Sequence, residues 1–293
     1  MTLVATLISH PDRPAVSTSL ANKACKAIGA SAIAWLAEEI ACEMTVDMEP
    51  LAADRLLRQA VGDAPVDVAV QAPESRRKRL LIADMDSTMI DQECIDELAE
   101  EAGLKAHVAE ITTRAMNGEI AFEPALRERV ALLKGLPLSV INKVITERIT
   151  LASGGRTLVT TMKANGAHTA LVSGGFTAFT GPIGAKLGFD ETQANRLIDE
   201  GGRLNGQVAE PILGREAKAQ ALRTITARLG IGLEDAIAVG DGANDLDMID
   251  LAGAGVALHA KPSVAERARF RIDHGDLTAL LYLQGYRRDE FVT

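Results

Sequence analysis

An apolar run that opens directly into two aspartates constrains this chain more than any other feature. Leu80–Ala83 has the length and composition of a buried β-strand, and Asp84 and Asp86 follow it at once. In open α/β sheets, ligands bind beyond the carboxyl ends of the strands. Two acids that converge there repel each other unless a proton or a cation lies between them. The run therefore suits an aspartate nucleophile, a second aspartate that handles protons, and a bound hard cation.

Two further strand candidates end in polar or glycine-rich segments. His168–Val172 leads into Ser173-Gly174-Gly175, and Ala236–Val239 leads into Gly240–Asp245. Because parallel strands place their carboxyl ends along one edge of a sheet, we expect all three segments to converge. On its own, an Asp-x-Asp sequence after an apolar run is more typical of a solvated turn or a helix cap. The expected convergence is what favours a functional site.

The two later segments offer different chemistry. Ser173-Gly174-Gly175 provides a hydroxyl group and unshielded backbone N–H groups at a predicted helix start, which can hold a phosphate, although such a sequence is often an ordinary turn. Asp241, Asn244 and Asp245 provide oxygen ligands of the kind Mg²⁺ prefers, although they could also cap a helix. With two aspartates opposite, a divalent cation explains so many carboxylates together.

The N-terminal part reads as a small α/β unit. At 293 residues the chain is long enough for two domains or for one domain with an insertion. The segments up to Pro73 predict the order β-α-β-α-β, with a linker after them. We therefore expect an N-terminal α/β domain at 1–75 and a second domain at 76–293. The predicted elements are Thr2–Ser9, Ala15–Ile28, Ser31–Asp47, Leu51–Val61 and Val66–Val70.

The second domain is expected to be a doubly wound parallel sheet, Rossmann-like, because strand and helix patterns alternate. After Asp86 the pattern turns helical for four segments, which predicts a helical cap inserted at about 91–155. Later, Asn195–Glu200 and Arg203–Ala209 predict a hairpin. The four helical segments are Gln92–Ala102, Ala106–Asn117, Phe122–Leu133 and Leu138–Arg148.

Composition excludes several classes of protein. A net charge of −9 and an aromatic content of 3% argue against a nucleic-acid partner. The only basic run, Arg76–Arg79, is interpreted as a solvated linker. No apolar stretch is long enough to span a bilayer, and the N-terminus lacks the basic region of a signal peptide, so no membrane partner is expected. Three cysteines without metal spacing favour a reduced, cytoplasmic setting, and a homo-oligomer is left open.

The chain resembles the phosphatases of the haloacid dehalogenase superfamily, and within it the phosphoserine phosphatase family. The resemblance covers residues 79 to 285, whereas 1–75 shows only a loose likeness to small amino-acid-binding modules of the ACT type, which leaves a regulatory role open. The matching positions are Asp84-Met85-Asp86-Ser87-Thr88, Ser173-Gly174-Gly175, Lys218, Gly240–Asp245, and Glu93 and Arg129 in the predicted cap.

The resemblance implies a catalytic and a metal-binding role for the aspartates. Asp84 is expected to be the nucleophile that becomes an aspartyl-phosphate, and Asp86 the acid and base. Mg²⁺ is expected to be held by the Asp84 carboxylate, the Asp86 backbone carbonyl and Asp241. Asp245 is expected to support that shell by orienting waters.

The resemblance also implies how a substrate is bound. Glu93 is expected to contact the substrate ammonium and Arg129 its carboxylate, since the guanidinium fork matches a carboxylate. By position alone, Lys218 and Arg129 would be solvent-facing helix residues, and Glu93 would be an acid in the first turn of a helix. The residues expected to bind the phosphate are Ser173, the Gly174 amide, Lys218 and Asn244, and those expected to line an apolar wall are Phe122 and Met116.

The function implied is Mg²⁺-dependent hydrolysis of phosphoserine through an aspartyl-phosphate, as in serine biosynthesis. One alternative keeps the chemistry but acts on another small phosphomonoester or transfers the phosphoryl group to another acceptor. A second alternative is a signalling module whose aspartate is phosphorylated as a switch. Asp86 argues against the switch, because a proton donor beside the nucleophile promotes turnover.

Overall fold

The computed structural model describes residues 2–293, and in that range it contains twelve strands and twelve α-helices. The strands are β1 (Thr2–Ile8), β2 (Ala34–Ala37), β3 (Ala41–Asp47), β4 (Asp67–Gln71), β5 (Leu80–Ala83), β6 (His168–Phe176), β7 (Glu191–Asn195), β8 (Leu197–Glu200), β9 (Arg203–Val208), β10 (Ala236–Gly240), β11 (Ala254–Leu258) and β12 (Phe270–Ile272). The helices are α1 (Thr18–Ala27), α2 (Pro50–Val61), α3 (Cys94–Glu100), α4 (Lys105–Met116), α5 (Phe122–Leu132), α6 (Ser139–Glu147), α7 (Gly155–Ala164), α8 (Thr177–Leu187), α9 (Arg215–Leu229), α10 (Leu246–Leu251), α11 (Pro262–Ala265) and α12 (Ala279–Leu283).

The chain divides into two compact units that do not follow one another along the sequence. One unit contains the N-terminal segment up to Arg79 together with Ser153–Ala167 and Phe270–Thr293, and the other contains Leu80–Ala152 and His168–Arg269. The domain limits expected above, 1–75 and 76–293 with a cap at about 91–155, stay a prediction.

The first unit contains an antiparallel sheet in the order β2-β3-β1-β4. Alternate residues of β1 point to one face, where they pack with residues of α1 and α2. The core on this face includes Leu3, Ala5, Leu7, Ala21, Ala24, Met44, Val46, Ala53, Leu57 and Val68.

The expected order β-α-β-α-β is wrong in its middle element. Ser31–Asp47 holds two antiparallel strands, β2 and β3, which pair through Trp35 and Cys42. The chain reverses at Glu38–Ile40, where Glu39 has a left-handed φ of 57°. A non-glycine residue seldom adopts this conformation, and Glu38–Ile40 contains no glycine or asparagine. The sequence therefore gives no signal for a turn here.

The basic run is also different from its interpretation as a solvated linker. The Arg76 side chain is only 10% exposed and its guanidinium lies 2.8 Å from Glu43. The Arg77 guanidinium lies over the Tyr286 ring, 4.0 Å from the centroid, and pairs with Glu290 at 2.6 Å. Cation–π and ion-pair contacts therefore bind these arginines to the first unit.

The second unit is built on a parallel sheet in which five strands follow the order β11-β10-β5-β6-β7. The chain starts at β5, runs outward through β6 and β7, and then returns to the other side of β5 with β10 and β11. The strand order thus reverses between β5 and β10, and such a switch point opens a crevice at the carboxyl ends of the strands. The prediction of a doubly wound parallel-sheet core is confirmed.

Helices pack on this sheet, and others are inserted between its strands. On one face, Leu80 and Ile82 of β5 pack with β6, β10 and helices α9 and α10, around Leu222, Ile225 and Met248. Helices α3 to α6 are inserted between β5 and β6 and form the cap. Strands β8 and β9 form the predicted hairpin. None of the helices in residues 2–293 combines the length and the apolar composition needed to cross a membrane.

Candidate active site

The structure brings the three polar segments together at the carboxyl edge of the parallel sheet. Asp84 follows β5, and its backbone N–H donates to Val239 of the neighbouring strand β10 at 3.0 Å. Asp241 follows β10 directly. Ser173 lies inside β6, because this strand continues to Phe176 with a register irregularity after Val172. The predicted turn at Ser173-Gly174-Gly175 is therefore the irregular end of a strand, with α8 starting at Thr177.

Lys218 reaches this edge from α9 and is fully buried. Its ammonium lies 2.7 Å from Asp84 Oδ1, an ion pair without good hydrogen-bond geometry, and it donates to Asp245 Oδ1 at 2.6 Å. Burial alone would lower the pKa of Lys218, but the two carboxylates outweigh it and hold the pKa above its ordinary value. Lys218 is thus a permanent positive charge behind the nucleophile candidate.

The carboxylates at this edge outnumber the cations. One oxygen each from Asp84, Asp241 and Asp245 lies within 4.8 Å of the others, and all three residues are buried. Burial is the main cause that raises the pKa of Asp84 to about 7 and the pKa of Asp241 well above its ordinary value, with neighbouring carboxylates adding to both. A bound cation would offset both the cost of ionising these buried carboxyl groups and the repulsion between them.

The three carboxylates are not equally available as ligands. Both Asp245 oxygens are used by the protein, because Oδ1 accepts from Lys218 and Oδ2 accepts from the backbone of Asp241 and Gly242. Asp241 Oδ1 accepts from the Thr88 hydroxyl at 3.1 Å. The donor set of hard carboxylate oxygens fits a Mg²⁺-sized hard cation, with Asp245 behind Asp241 and Asp84.

Asp86 is held by two hydrogen bonds. Its Oδ1 accepts from the Cys94 backbone N–H at 2.8 Å, and its Oδ2 accepts from the Ser173 hydroxyl at 3.2 Å. Burial raises the pKa of Asp86, and these hydrogen bonds offset part of the rise. A β-carbon on Gly175 would lie 2.6 Å from Asp86 Oδ2, so only glycine lets the strand approach this carboxylate.

A pocket with a volume of about 30 Å³ lies at this edge, and residues of the cap form part of its wall. It contains nine of the predicted site residues, whereas Lys218, Asp241 and Asp245 are buried behind it. The predicted residues that line it are Asp84, Asp86, Glu93, Met116, Phe122, Arg129, Ser173, Gly174 and Asn244.

Glu93 brings a second acid into the pocket from the start of α3. Its Oε1 accepts from the Ser87 hydroxyl at 2.7 Å, and Ser87 adopts a left-handed φ of 55° just behind Asp86. The residue is half-buried and lines the pocket. Burial, with the charge of Asp86 added, raises the pKa of Glu93 to about 8. A positive group on a ligand would relieve this cost of ionisation.

Arg129 brings a base into the same pocket from α5. The residue is 4% exposed, and its guanidinium donates to Ala125 O at 3.1 Å and to the Thr112 hydroxyl at 3.0 Å. Burial lowers the pKa of Arg129, and the charges of Glu93 and Asp96 offset part of the fall. The side chain is therefore a buried cation that faces a pocket, and not the surface helix residue that its position alone would indicate.

Two apolar side chains of the cap rest on glycines of the sheet edge. A β-carbon on Gly174 would lie 2.7 Å from the Phe122 ring, and one on Gly242 would lie 2.2 Å from the Met116 methyl group. Among residues 2–293, the buried Asn244 Oδ1 has no hydrogen-bond partner although it belongs to the pocket wall. The pocket thus offers an apolar roof and an unused polar group.

The sequence did not predict every residue of the site. Ile95, Leu126 and Phe176 complete the pocket wall, but buried apolar residues carry no signal that separates them from core residues. Thr88 belongs to the motif that starts at Asp84, but the resemblance implies no role for it. The structure places its hydroxyl on Asp241.

Known proteins share this arrangement of elements. The family model of the haloacid dehalogenase-like hydrolases matches residues 81–250. The phosphoserine phosphatase of Methanocaldococcus jannaschii is 44% identical over 206 residues, which are 70% of this chain and 97% of that protein. A solved structure described as a phospho-aspartyl intermediate analogue of phosphoserine phosphatase is 44% identical, covers 70% of this chain and 98% of its own, and has a TM-score of 0.68.

A longer relative matches more of the chain. The phosphoserine phosphatase of Streptomyces coelicolor is 43% identical over 245 residues, which are 84% of this chain. The match spans only 60% of the length of that relative. The family match and the near-complete coverage of the Methanocaldococcus jannaschii relative together show that this chain belongs to the haloacid dehalogenase-like hydrolases, in the branch that contains the phosphoserine phosphatases.

Proposed function

We propose that this chain hydrolyses O-phosphoserine to serine and inorganic phosphate through an aspartyl-phosphate on Asp84. The observation that carries the proposal is the pairing of Glu93 and Arg129 in the pocket that contains Asp84 and Asp86. Phosphoserine has an ammonium and a carboxylate besides its phosphate, and this pocket offers one group of opposite charge for each. The relatives named phosphoserine phosphatase support the same substrate.

In the first step, an Asp84 oxygen attacks the phosphorus and the bond from phosphorus to the serine oxygen breaks. This covalent step divides one difficult displacement into two easier ones. Lys218 supports it, because its buried ammonium holds Asp84 in place and offsets the negative charge that otherwise repels a phosphate. The description of the related solved structure as a phospho-aspartyl analogue is consistent with this route.

Asp86 serves both halves of the reaction. As an acid it gives its proton to the departing serine oxygen, and as a carboxylate it then takes a proton from the water that attacks the aspartyl-phosphate. Breakdown returns Asp84 and releases phosphate. The raised pKa of the buried Asp86 favours the protonated form that the first half needs.

The metal site is proposed from the same edge. The Asp84 carboxylate, the Asp86 backbone carbonyl and Asp241 would hold Mg²⁺, with Asp245 orienting its waters. When bound, Mg²⁺ supplies positive charge that offsets the repulsion between carboxylate and phosphate. Ser173, the Gly174 amide, Lys218 and Asn244, through its Nδ2 amino group, would bind the remaining phosphate oxygens.

Selection of the substrate would come from the cap. Arg129 would donate to the substrate carboxylate and Glu93 would accept from its ammonium, while Phe122 and Met116 exclude water from the apolar side. The experiment that tests this compares phosphoserine with phosphoethanolamine, which has the same phosphate and ammonium but no carboxylate. We expect Arg129→Ala to raise the KM for phosphoserine by about 30-fold or more, because a buried charge pair is lost, and to leave phosphoethanolamine nearly unaffected.

Two variants serve as controls. Arg129→Lys keeps the charge but loses the bidentate fork, so an intermediate KM is expected. Arg127→Ala removes an exposed arginine two residues away that pairs with Glu210 at 2.7 Å, and it should change neither substrate. If wild-type protein hydrolysed phosphoserine no better than phosphoethanolamine, another small phosphomonoester would be the substrate. A cytoplasmic location, a homo-oligomer and a regulatory N-terminal domain stay predictions.

A further inference from the structure

The guanidinium of Arg129 is buried without a direct carboxylate partner. Among residues 2–293 it has two hydrogen-bond partners, Ala125 O and the Thr112 hydroxyl, and both are uncharged groups. A guanidinium carries five N–H donors, so several of its donors are left for a ligand in the pocket. A buried cation in this state needs other groups to fix its orientation, because a long side chain otherwise keeps several rotamers.

Thr112 connects this guanidinium to a carboxylate that does not touch it. The Thr112 oxygen accepts from Arg129 Nη1 at 3.0 Å, and the same hydroxyl lies 2.7 Å from Asp96 Oδ1. Asp96 is at the start of α3, Thr112 is near the end of α4 and Arg129 is near the end of α5, so one hydroxyl group joins three cap helices.

The hydroxyl proton has two acceptors to choose from. Thr112 Oγ1 also lies 3.0 Å from Val108 O in its own helix. The carboxylate of Asp96 is nearer and charged, and hydrogen bonds to charged acceptors are the stronger ones. A proton that points to Asp96 leaves a lone pair of the oxygen facing Arg129, which is the arrangement that the 3.0 Å contact needs.

An indirect connection has a consequence for binding. A carboxylate in direct contact with the guanidinium would occupy the donors that a substrate carboxylate requires. Through the hydroxyl, Asp96 contributes negative charge near Arg129 without using the side of the fork that faces the pocket. The charge of Asp96 also offsets part of the burial effect on the pKa of Arg129.

We infer that Thr112 is a positioning residue for the substrate carboxylate: its hydroxyl, oriented by Asp96, holds the Arg129 guanidinium with its outer donors toward the pocket. This inference rests on the proposed function, since it assigns a carboxylate-bearing phosphomonoester to the same pocket. Thr112 is not among the residues that line the pocket. It acts only through Arg129.

The test removes the hydroxyl and keeps the shape. Thr112→Val keeps the branched shape but removes the hydroxyl group that holds Arg129. Asp96 would then be free to pair with Arg129 directly, and both changes would weaken binding of the substrate carboxylate. We expect the KM for phosphoserine to rise about tenfold, as for loss of a hydrogen bond to a charged group, with kcat within about twofold of wild type. The affinity for phosphoethanolamine, measured as its KM or as its Ki as a competitive inhibitor, should stay within about twofold of the wild-type value.

Two further variants separate positioning from stability. Thr112→Ser restores the hydroxyl and should return the KM for phosphoserine to near the wild-type value. Thr113→Val removes the neighbouring exposed hydroxyl, which makes the same kind of bond within α4, to Ala109 O at 2.9 Å, and it should change neither substrate. Thermal unfolding of each variant checks that it is folded.

The outcomes are distinct. If Thr112→Val changed the KM of both substrates equally, or changed neither, the positioning role would be overturned. The proposed function would still stand if the wild-type protein discriminated between the two substrates. A failure of Thr112→Ser to restore the KM would also overturn it. A wild-type protein that does not discriminate between phosphoserine and phosphoethanolamine would overturn both the proposed function and this inference.

Discussion

The ammonium of Lys218 lies 2.6 Å from Oδ1 of Asp245, and both side chains have no exposure to solvent. Lys218 lies in α9 and Asp245 in the segment that follows β10, and the sheet edge brings them together. Because the other Asp245 oxygen accepts backbone N–H groups of the segment after β10, this pair fixes α9 against the candidate metal ligands.

Replacing Lys218 is expected to destabilise the protein strongly. Lys218→Met leaves two buried carboxylates without their cation, which costs about 3–5 kcal/mol. The loss should grow as pH rises, because the buried Asp84 carboxyl group, whose pKa is already raised, can avoid it only by staying protonated. Urea unfolding at pH 5 and pH 8 measures it, with the exposed Lys186→Met as the matched control. An equal stability of Lys218→Met and wild type at pH 8 would contradict the buried ion pair.

Asp84→Asn is expected to abolish turnover, because the amide cannot attack phosphorus. We expect kcat for phosphate release to fall by about 10⁴-fold or more, with thermal unfolding near that of the wild type. Asp199→Asn, an exposed aspartate in the β8–β9 hairpin, provides the control. Near-normal turnover in Asp84→Asn would exclude the covalent route.

Metal binding should be visible without any activity assay. In chelator-treated protein, Mg²⁺ at about 100 times its dissociation constant should stabilise the fold by about 2.7 kcal/mol, seen as a rise in Tm. Asp241→Asn should lose most of this rise, and Asp199→Asn should keep it. A Tm that does not respond to Mg²⁺ in wild type, together with full activity in chelator, would remove the metal from the mechanism.

The pH dependence of stability should report Glu93. Its pKa is about 8 in the folded protein against an ordinary value of 4.5. The unfolded chain therefore binds fewer protons between these values, so Glu93 makes the fold less stable as pH rises from about 4.5 to 8.

Glu93→Gln removes this effect and still accepts the hydrogen bond from Ser87. In metal-free protein we expect its Tm to equal the wild-type Tm at pH 4.5 and to exceed it by about 3 °C or more at pH 9. Glu128→Gln, an exposed glutamate of α5, should follow the wild type throughout. Parallel Tm curves for Glu93→Gln and wild type would mean that Glu93 is already ionised at pH 5.

The sheet edge was predictable from sequence because it depends on a local pattern and one general rule. An apolar run marks each of β5, β6 and β10, and parallel strands align their ends. Lys218 was different, since a lysine on a helix carries no local signal for burial, and only the family resemblance identified it. The β2–β3 reversal was missed because Glu39 adopts a left-handed conformation that the sequence does not announce.

Contacts between helices were the least predictable part of the site. Asp96 and Thr112 are polar residues on amphipathic helices, so their pattern indicates solvent-facing positions. Their partner Arg129 lies 17 residues beyond Thr112 in the sequence. Only the packing of α3, α4 and α5 around one hydroxyl group makes these residues neighbours.

The groups proposed to touch phosphorus are carried by strand ends, whereas Thr112 and Arg129 are carried by helices inserted between two of those strands. Mutations can accumulate in the inserted helices while the strand ends keep their positions. A related protein in which Arg129 is replaced would keep the residues that transfer the phosphoryl group. It would need only new contacts to the part of the substrate that Arg129 is proposed to bind. A change of substrate can therefore arise in the inserted helices without a change in the group that attacks phosphorus.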